Sequence, residues 1–498
     1  MSVEAARPGP PLSDDEQRLL LADRVIASYD EAISRVVDAI CAHPRFRRLE
    51  AAWRGLAYLV EAADQATGVK IRVLHVTWRE IGRDLQRAVE PEQSQLFQKI
   101  YEQEFGMPGG QPYGLLIGDY EVTYRRSVEH PNDDVEIMSG VAYIAANAFA
   151  PFIVGASPDL LNMESFSELA TGIVGRSRAP ASSGEVLTLS QPSYLKEFTQ
   201  QPEYEKWRKL RQHKDERSRY LGVVLPHCLC REPYPDDARR PLPREPDPPD
   251  GIRRTETFAF RGTSSRAAPA DEDYLWMSAV YAFAGATIGT FGRSGWFTDL
   301  RGARRGEGGG GLVEGLPQPD FATDSPGVAV RAPIEVETDY MQERALDELG
   351  LIPLMRGYAT PDTLFFANTS LHQPPHYDQV EARANARLSA MLQYMLCVSR
   401  FAHYIKILGR ERVGASMTAA ECQTMLQRWI WQYCTSDDEA SAAMLAQKPL
   451  RDAVIEVRDR PGQPGTYSCS AHLKPHFQLD QIVSAYEIVT ELAPLGAG

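Results

Sequence analysis

The sequence predicts a mixed α/β (α+β) fold whose sheet is at least partly parallel. Three observations lead there. Short apolar runs of strand length at 115–117, 151–156 and 221–230 alternate with segments of helical periodicity. A hairpin pattern closes the chain. The composition, 43 % hydrophobic and 24 % charged over 498 residues, is that of a globular protein with length for about two to four domains.

The elements follow in order. Residues 1–18 are read as a flexible arm, with Pro8, Pro10 and Pro11 inside 1–13. Beyond residue 14, Leu19, Leu20, Val25, Ile26, Ile33, Val36, Val37 and Ile40 recur at helical spacing. Pro44 divides this stretch into two helices, the second over 49–60. A strand is expected at 70–76, a helix at 78–89, and a strand at 115–117 that runs into Gly118-Asp119-Tyr120. A small apolar helix at 135–149 and a buried strand at 151–156 follow. Residues 221–230 read as a half-buried strand. Residues 231–250 contain seven prolines among charges of both signs, which predicts an exposed loop continuing to 271. A helix at 274–291 and a Gly-rich loop at 301–315 complete the middle region, 19–370. The C-terminal region, 371–498, opens with the longest helical signal, 381–408, and a second helix at 418–433.

The last 50 residues are the most informative. Ala453, Ile455 and Val457 alternate with Val454, Glu456 and Arg458. Asp459-Arg460-Pro461-Gly462-Gln463-Pro464-Gly465 is turn chemistry. Tyr467, Cys469, Ala471 and Leu473 then alternate with Ser468, Ser470 and His472. This is a hairpin with one apolar face, and a third strand is expected at 482–492. Such a unit has edges with unpaired backbone groups, which proteins either blunt or use for strand addition. Glu487 and Glu491 fit blunting.

Charge and motifs exclude several functions. The net charge of −14 argues against nucleic-acid binding and against docking on anionic lipid. No run of about 18 apolar residues occurs and the N-terminus has no apolar signal core, so neither membrane insertion nor secretion by signal peptide is expected. Seven cysteines read as reduced thiols of a cytoplasmic protein. Gly306 to Gly311 matches a dinucleotide fingerprint in letters only, because neither a strand before it nor a helix after it is present. His227-Cys228-Leu229-Cys230 lacks the second ligand pair that a zinc site needs, and a strand explains it better. His472 and His476, beside Lys474, have no paired carboxylate or nucleophile. No catalytic, cofactor or metal residue is assigned, and a non-enzymatic protein is expected. One bias stands out: residues 382–410 hold no acid but carry Arg383, Arg387, Arg400, Lys406 and Arg410. That is either a stripe for an acidic partner, with Arg383 and Arg387 one turn apart on one face, or the solvated side of a core helix.

Several stretches resemble one family. They are His43-Pro44-Arg45-Phe46-Arg47-Arg48-Leu49-Glu50-Ala51-Ala52-Trp53-Arg54-Gly55-Leu56, then Gly109-Gly110-Gln111-Pro112-Tyr113-Gly114-Leu115-Leu116-Ile117-Gly118-Asp119-Tyr120, then Ala150-Pro151-Phe152-Ile153. Asp273-Tyr274-Leu275-Trp276, Gly310-Gly311-Leu312-Val313-Glu314-Gly315-Leu316-Pro317, Ser399-Arg400-Phe401-Ala402-His403-Tyr404-Ile405-Lys406 and Leu473-Lys474-Pro475-His476-Phe477 continue the order. Together they resemble the large subunit of the bacterial type VI secretion contractile sheath, the TssC/VipB family.

The resemblance implies a fold similar to the core of phage-tail sheaths and a structural, force-generating role. It implies a small sheath subunit (TssB/VipA-like) as heterodimer partner, other heterodimers in a helical polymer, an inner tube of hexamers within, and a baseplate at its end. It also implies that terminal strands interlace between subunits, so Val454, Ile455, Glu456, Val457, Tyr467, Cys469, Ala471 and Leu473 are the expected pairing residues. Arg383 and Arg387 are the expected contacts to the inner tube. The family's extension ahead of the Leu19 helix, read by a recycling AAA+ ATPase, is reduced here to 1–13, which weighs against recognition by that ATPase. The same departure leaves a second reading, a non-polymerising paralogue that acts as regulator or adaptor.

Overall fold

The computed structural model describes residues 13–128, 130–171, 200–231, 274–302, 310–318, 331–357, 360, 362–412, 418–437, 440–460, 467–476 and 486–492. Most of the expected arm, the Pro-rich segment 232–271, the glycine run 303–309 and the hairpin turn 461–466 lie outside the described residues.

Helices α1 (Asp14–Ala42) and α2 (Pro44–Asp64) are separated by His43 alone. Pro44 sits in the first turn of α2, where a missing N–H is no loss, and the His43 ring accepts a hydrogen bond from Arg45 N. The division at Pro44 is as expected, though α2 begins there and not at residue 49. Then come α3 (Trp78–Arg87), α4 (Asp134–Ala148), α5 (Glu205–Arg211), α6 (Ala279–Ser294), α7 (Tyr340–Glu348), α8 (Val380–Ser389), α9 (Leu392–Arg412) and α10 (Ala419–Trp431). The strands are β1 (Leu116–Val122), β2 (Phe152–Ala156), β3 (Leu221–Leu225), β4 (Cys228–Arg231), β5 (Leu275–Met277), β6 (Leu312–Val313), β7 (Ile352–Arg356), β8 (Thr363–Phe365), β9 (Leu450–Asp459), β10 (Tyr467–Pro475) and β11 (Tyr486–Leu492).

A six-stranded sheet in the order β1-β2-β3-β7-β8-β6 forms the centre. Its first four strands run parallel, and β8 and β6 add antiparallel. The mixed α/β expectation with partly parallel pairing holds. Side-chain alternation splits each strand between two cores. Phe152, Val154, Ala156, Leu221, Val223 and Leu225 face α3, α4, α5 and α7, whereas Ile153, Val224, Ile352 and Leu354 face α2 and α6. Burial on both faces is why these strands read as unbroken apolar runs.

Four expectations need correction. Residues 70–76 join no sheet; side chains hold them instead, with Arg72 on Glu104, Lys70 on Gln111 and Tyr120 Oη donating to Val76 O at 2.6 Å. The run 221–230 is two strands in different sheets, separated by Pro226, whose nitrogen cannot continue a ladder, and apart from the partly exposed His227 it is buried rather than half-buried. The helix expected from residue 274 starts at Ala279, after β5 and the N-cap Ser278. The long helix 381–408 is broken between α8 and α9, because Ala390 O accepts from Ser370 N at 2.7 Å and Leu392 N donates to Asn368 O at 2.9 Å. Backbone pairing with the 368–370 segment replaces helical bonds there.

Helix α9 then links two cores. Leu392 and Leu396 belong to the core of the central sheet, and Met395, Phe401, Ala402 and Ile405 to the C-terminal one. Gly222 on β3 makes the approach possible, since a Cβ there would stand 2.6 Å from Leu392 Cδ1. The C-terminal core packs α9 and α10 against one face of a three-stranded antiparallel sheet, β11-β10-β9.

Candidate functional site

The C-terminal sheet is built as its sequence pattern predicts. Ala453, Ile455, Val457, Tyr467, Cys469, Ala471 and Leu473 are buried against α9 and α10, while Val454 is 48 % exposed on the other face. Ala471 lies opposite Ile455 and Cys469 opposite Val457, so the two apolar rows coincide. Burial raises the Cys469 thiol to about 12, with Cys422 nearby adding to the effect; it is a neutral packing group.

The edges are unequal. Helix α10 begins with a Thr418–Glu421 capping box and turns Cys422, Leu426 and Ile430 into the core. The adjacent row, Gln423 and Gln427, lies one turn apart along the outer edge of β9. Gln427 Nε2 donates to Ala453 O at 2.7 Å and its Oε1 accepts from Ile455 N at 2.8 Å. Gln423 Oε1 accepts from Val457 N at 3.1 Å. Two side-chain amides thus stand where the backbone of another strand could pair.

Alternation settles the rest. In an antiparallel ladder successive residues turn their backbone groups to opposite sides. Ile455 and Val457 turn outward to the glutamines, so Val454 and Glu456 pair with β10. Tyr467, Cys469, Ala471 and Leu473 face β11, opposite Leu492, Thr490, Ile488 and Tyr486. On β11 the outward backbone groups are therefore those of Glu487, Val489 and Glu491. All eight residues expected to accept a neighbour's strand have backbone partners within this chain: Tyr467, Cys469, Ala471 and Leu473 on the central β10, Val454 and Glu456 on β9 facing β10, and Ile455 and Val457 on β9 facing the glutamines. The edge without a partner strand among the described residues lies one strand further out, on β11.

The basic stripe is also engaged at home. Arg387 pairs with Asp347 at 3.0 Å, and Arg383 donates to Tyr377 O at 3.1 Å. Arg400 lies over the ring of Phe291 at 4.6 Å and Lys406 over that of Phe105 at 3.7 Å. Arg410 donates to Phe105 O and Met107 O. Arg383 and Arg387 on α8 remain exposed.

The motif at 227–230 resolves into structural contacts. His227 Nδ1 lies 2.6 Å from Glu335 and Nε2 2.9 Å from Glu121. Burial alone lowers its pKa, but hydrogen bonds and charge from the two carboxylates outweigh burial and raise it to about 10. Cys230 is pushed up to about 12 by burial, and Cys228 is raised for the same reason. Both are inert at neutral pH. Two other histidines are neutral and buried: His403 bonds Ala148 O, and His372 bonds Ser218, with burial lowering each to about 4. Among the described residues no trio of His, Cys, Asp or Glu could hold a metal ion, and no helix is long and apolar enough to cross a membrane.

The VipB model described as EvpB/VC_A0108, tail sheath N-terminal domain, matches residues 23–174 and 182–372. A second, the tail sheath gpW/gp25-like domain, matches 381–492. The chain belongs to the VipB tail-sheath family. The type VI secretion system sheath protein TssC1 of Pseudomonas aeruginosa is 34 % identical over 473 residues, covering 94 % of this chain and 85 % of that protein. As a VipB-family member the chain is a structural sheath subunit, and the gpW/gp25-like match covers the terminal sheet.

Sequence reasoning missed Gln423 and Gln427. Their only signal is an i, i+4 pair beside an apolar row, and nothing in the sequence says that β9 lies alongside.

Proposed function

We propose that the chain is the large protomer of a type VI secretion contractile sheath. It pairs with a small sheath subunit, stacks with other such pairs in a helical tube around an inner tube, grows from a baseplate and contracts to expel the tube. The observation that carries this reading is the one-sided terminal sheet. Its β9 edge is closed by Gln423 and Gln427, and β11 presents Glu487, Val489 and Glu491 outward. A strand from a neighbouring subunit adds at β11, with Val454, Ile455, Glu456, Val457, Tyr467, Cys469, Ala471 and Leu473 forming the platform beneath it. Each added main-chain bond contributes about 1 kcal/mol net, and repetition over many neighbours holds the lattice while subunits move. Arg383 and Arg387 on the exposed side of α8 are the contacts proposed for the inner tube.

The experiment is co-expression with a small sheath subunit and negative-stain microscopy. Tubules are expected. Val489→Pro removes an outward N–H without touching the internal ladder; it is expected to leave the heterodimer and abolish tubules. Tubules of normal length from Val489→Pro overturn strand addition at β11. Wild-type heterodimers that bind existing sheaths but never form tubes overturn the protomer reading in favour of an adaptor.

A further inference from the structure

Helix α10 does more for β9 than cover its face. The outward N–H groups of Leu450, Ala453, Ile455 and Val457 are all taken within the chain. Leu450 N donates to Tyr433 O at 3.2 Å and Leu450 O accepts from Thr435 N at 2.9 Å, which lays 433–435 parallel to the start of β9. Ala453 N donates to Asp452 Oδ1 at 2.9 Å. Beyond that point no strand continues the ladder among the described residues, and the glutamines take over. Gln427 both donates to Ala453 O and accepts from Ile455 N. A residue of a parallel strand lying opposite Val454 would make the same two bonds, one to the carbonyl before Val454 and one from the amide after it. Gln423, one helical turn earlier, supplies the acceptor for Val457 N. A side-chain amide carries the donor and the acceptor of a peptide unit, so the pair stands in for a strand.

We propose that Gln423 and Gln427 are the residues that set where strands add: they keep β9 shut against strands of other copies and so confine addition to β11. A strand arriving at β9 would only replace bonds already made, while losing its own conformational freedom. A strand arriving at β11 meets the outward backbone of Glu487, Val489 and Glu491 with no partner strand among the described residues. Without the glutamines each chain would have two unlike open edges, and β9 of one copy could pair with β11 of the next. Such head-to-tail pairing has no natural end and would proceed without a second kind of subunit. With them, a single edge is left, and pairing between copies stops at two. Confinement to β11 rests on the strand-addition reading proposed for this chain; closure of β9 stands apart from it.

The test uses the full chain alone, with no small subunit present. Gln423→Ala/Gln427→Ala is expected to speed amide exchange at Ile455 and Val457 by at least about tenfold. In sedimentation velocity it is expected to raise the weight-average mass at least about threefold over the wild type at the same concentration, and the mass is expected to climb further on concentration. Adding Val489→Pro to the double variant is expected to return the mass to that of a dimer at most. Should the double variant lose its urea transition, Gln427→Ala alone frees Ala453 O and Ile455 N and is expected to show the same pattern more weakly. Gln423→Glu keeps an acceptor for Val457 N, and Thr424→Ala lies on the exposed side of α10; both are expected to sediment as the wild type. Exchange unchanged in the glutamine-to-alanine variants, or faster exchange with no gain in mass, overturns the inference. So does a gain in mass that Thr424→Ala reproduces, which assigns it to a weakened helix. A double variant that stops at a dimer with or without Val489→Pro upholds closure of β9 by the glutamines and overturns strand addition at β11 instead.

Discussion

The central and terminal sheets use the same chemistry to opposite ends. The central sheet has helices on both faces, so Val154 and Val224 on neighbouring strands are buried in two different cores. Among the described residues the terminal sheet has a core on one face only, with Val454 exposed on the other. Its two edges differ as well: glutamine amides of α10 occupy one, and the other has no partner strand among the described residues. Burial on both faces commits a strand to its own chain. A sheet covered on one face and open at one edge retains hydrogen-bonding capacity for another chain.

That contrast can be broken by substitution, and the largest effect belongs to the centre. Val154→Asp puts an unpaired charge in a fully buried position and is expected to cost more than about 4 kcal/mol, seen as insoluble protein or loss of the urea transition. Ile455→Ala in the terminal core is expected to cost about 2–4 kcal/mol in urea unfolding. If it destabilises as much as Val154→Asp, the two sheets are not energetically distinct.

A pH profile sharpens the comparison, because His227 ties the end of β3 to β1. Its pKa is raised in the folded chain, so its contribution is complete below the ordinary imidazole pKa of about 6.5 and is lost as pH rises through about 10. Stability measured by urea at pH 7 and at pH 10 should fall in the wild type and fall less in His227→Gln. Equal losses in the two proteins count against the clamp.

Smaller effects probe the closed edge. Gln427→Leu leaves Ile455 N–H and Ala453 C=O without their partner and is expected to cost about 1–3 kcal/mol, with faster hydrogen exchange at Ile455. Exchange unchanged there shows that the amide does not close the edge. Arg387→Ala breaks an ion pair whose arginine is 64 % exposed and is expected to cost less than about 1 kcal/mol, within the error of most unfolding curves.

Much of this was legible without coordinates. Helices read from periodicity appear where Leu426 and Ile430 or Ile26 and Ile33 repeat, and the alternation of Ala453 through Leu473 placed the hairpin and its buried face. Errors arose where a partner elsewhere in the chain overrode local pattern. Residues 70–76 have strand composition but no neighbouring strand, and 390–391 leave the helix because Asn368 and Ser370 take their backbone groups. The expected pairing residues lie in the hairpin, and the register gives β10 a strand of this chain on each side.

Local order and family were determined by the sequence alone, since periodicity, turn chemistry and ordered motifs are properties of neighbours along the chain. Which edge is closed and which arginines are held were decided only by tertiary structure. Each depends on what a distant segment brings within hydrogen-bonding or packing distance, and no periodicity records that.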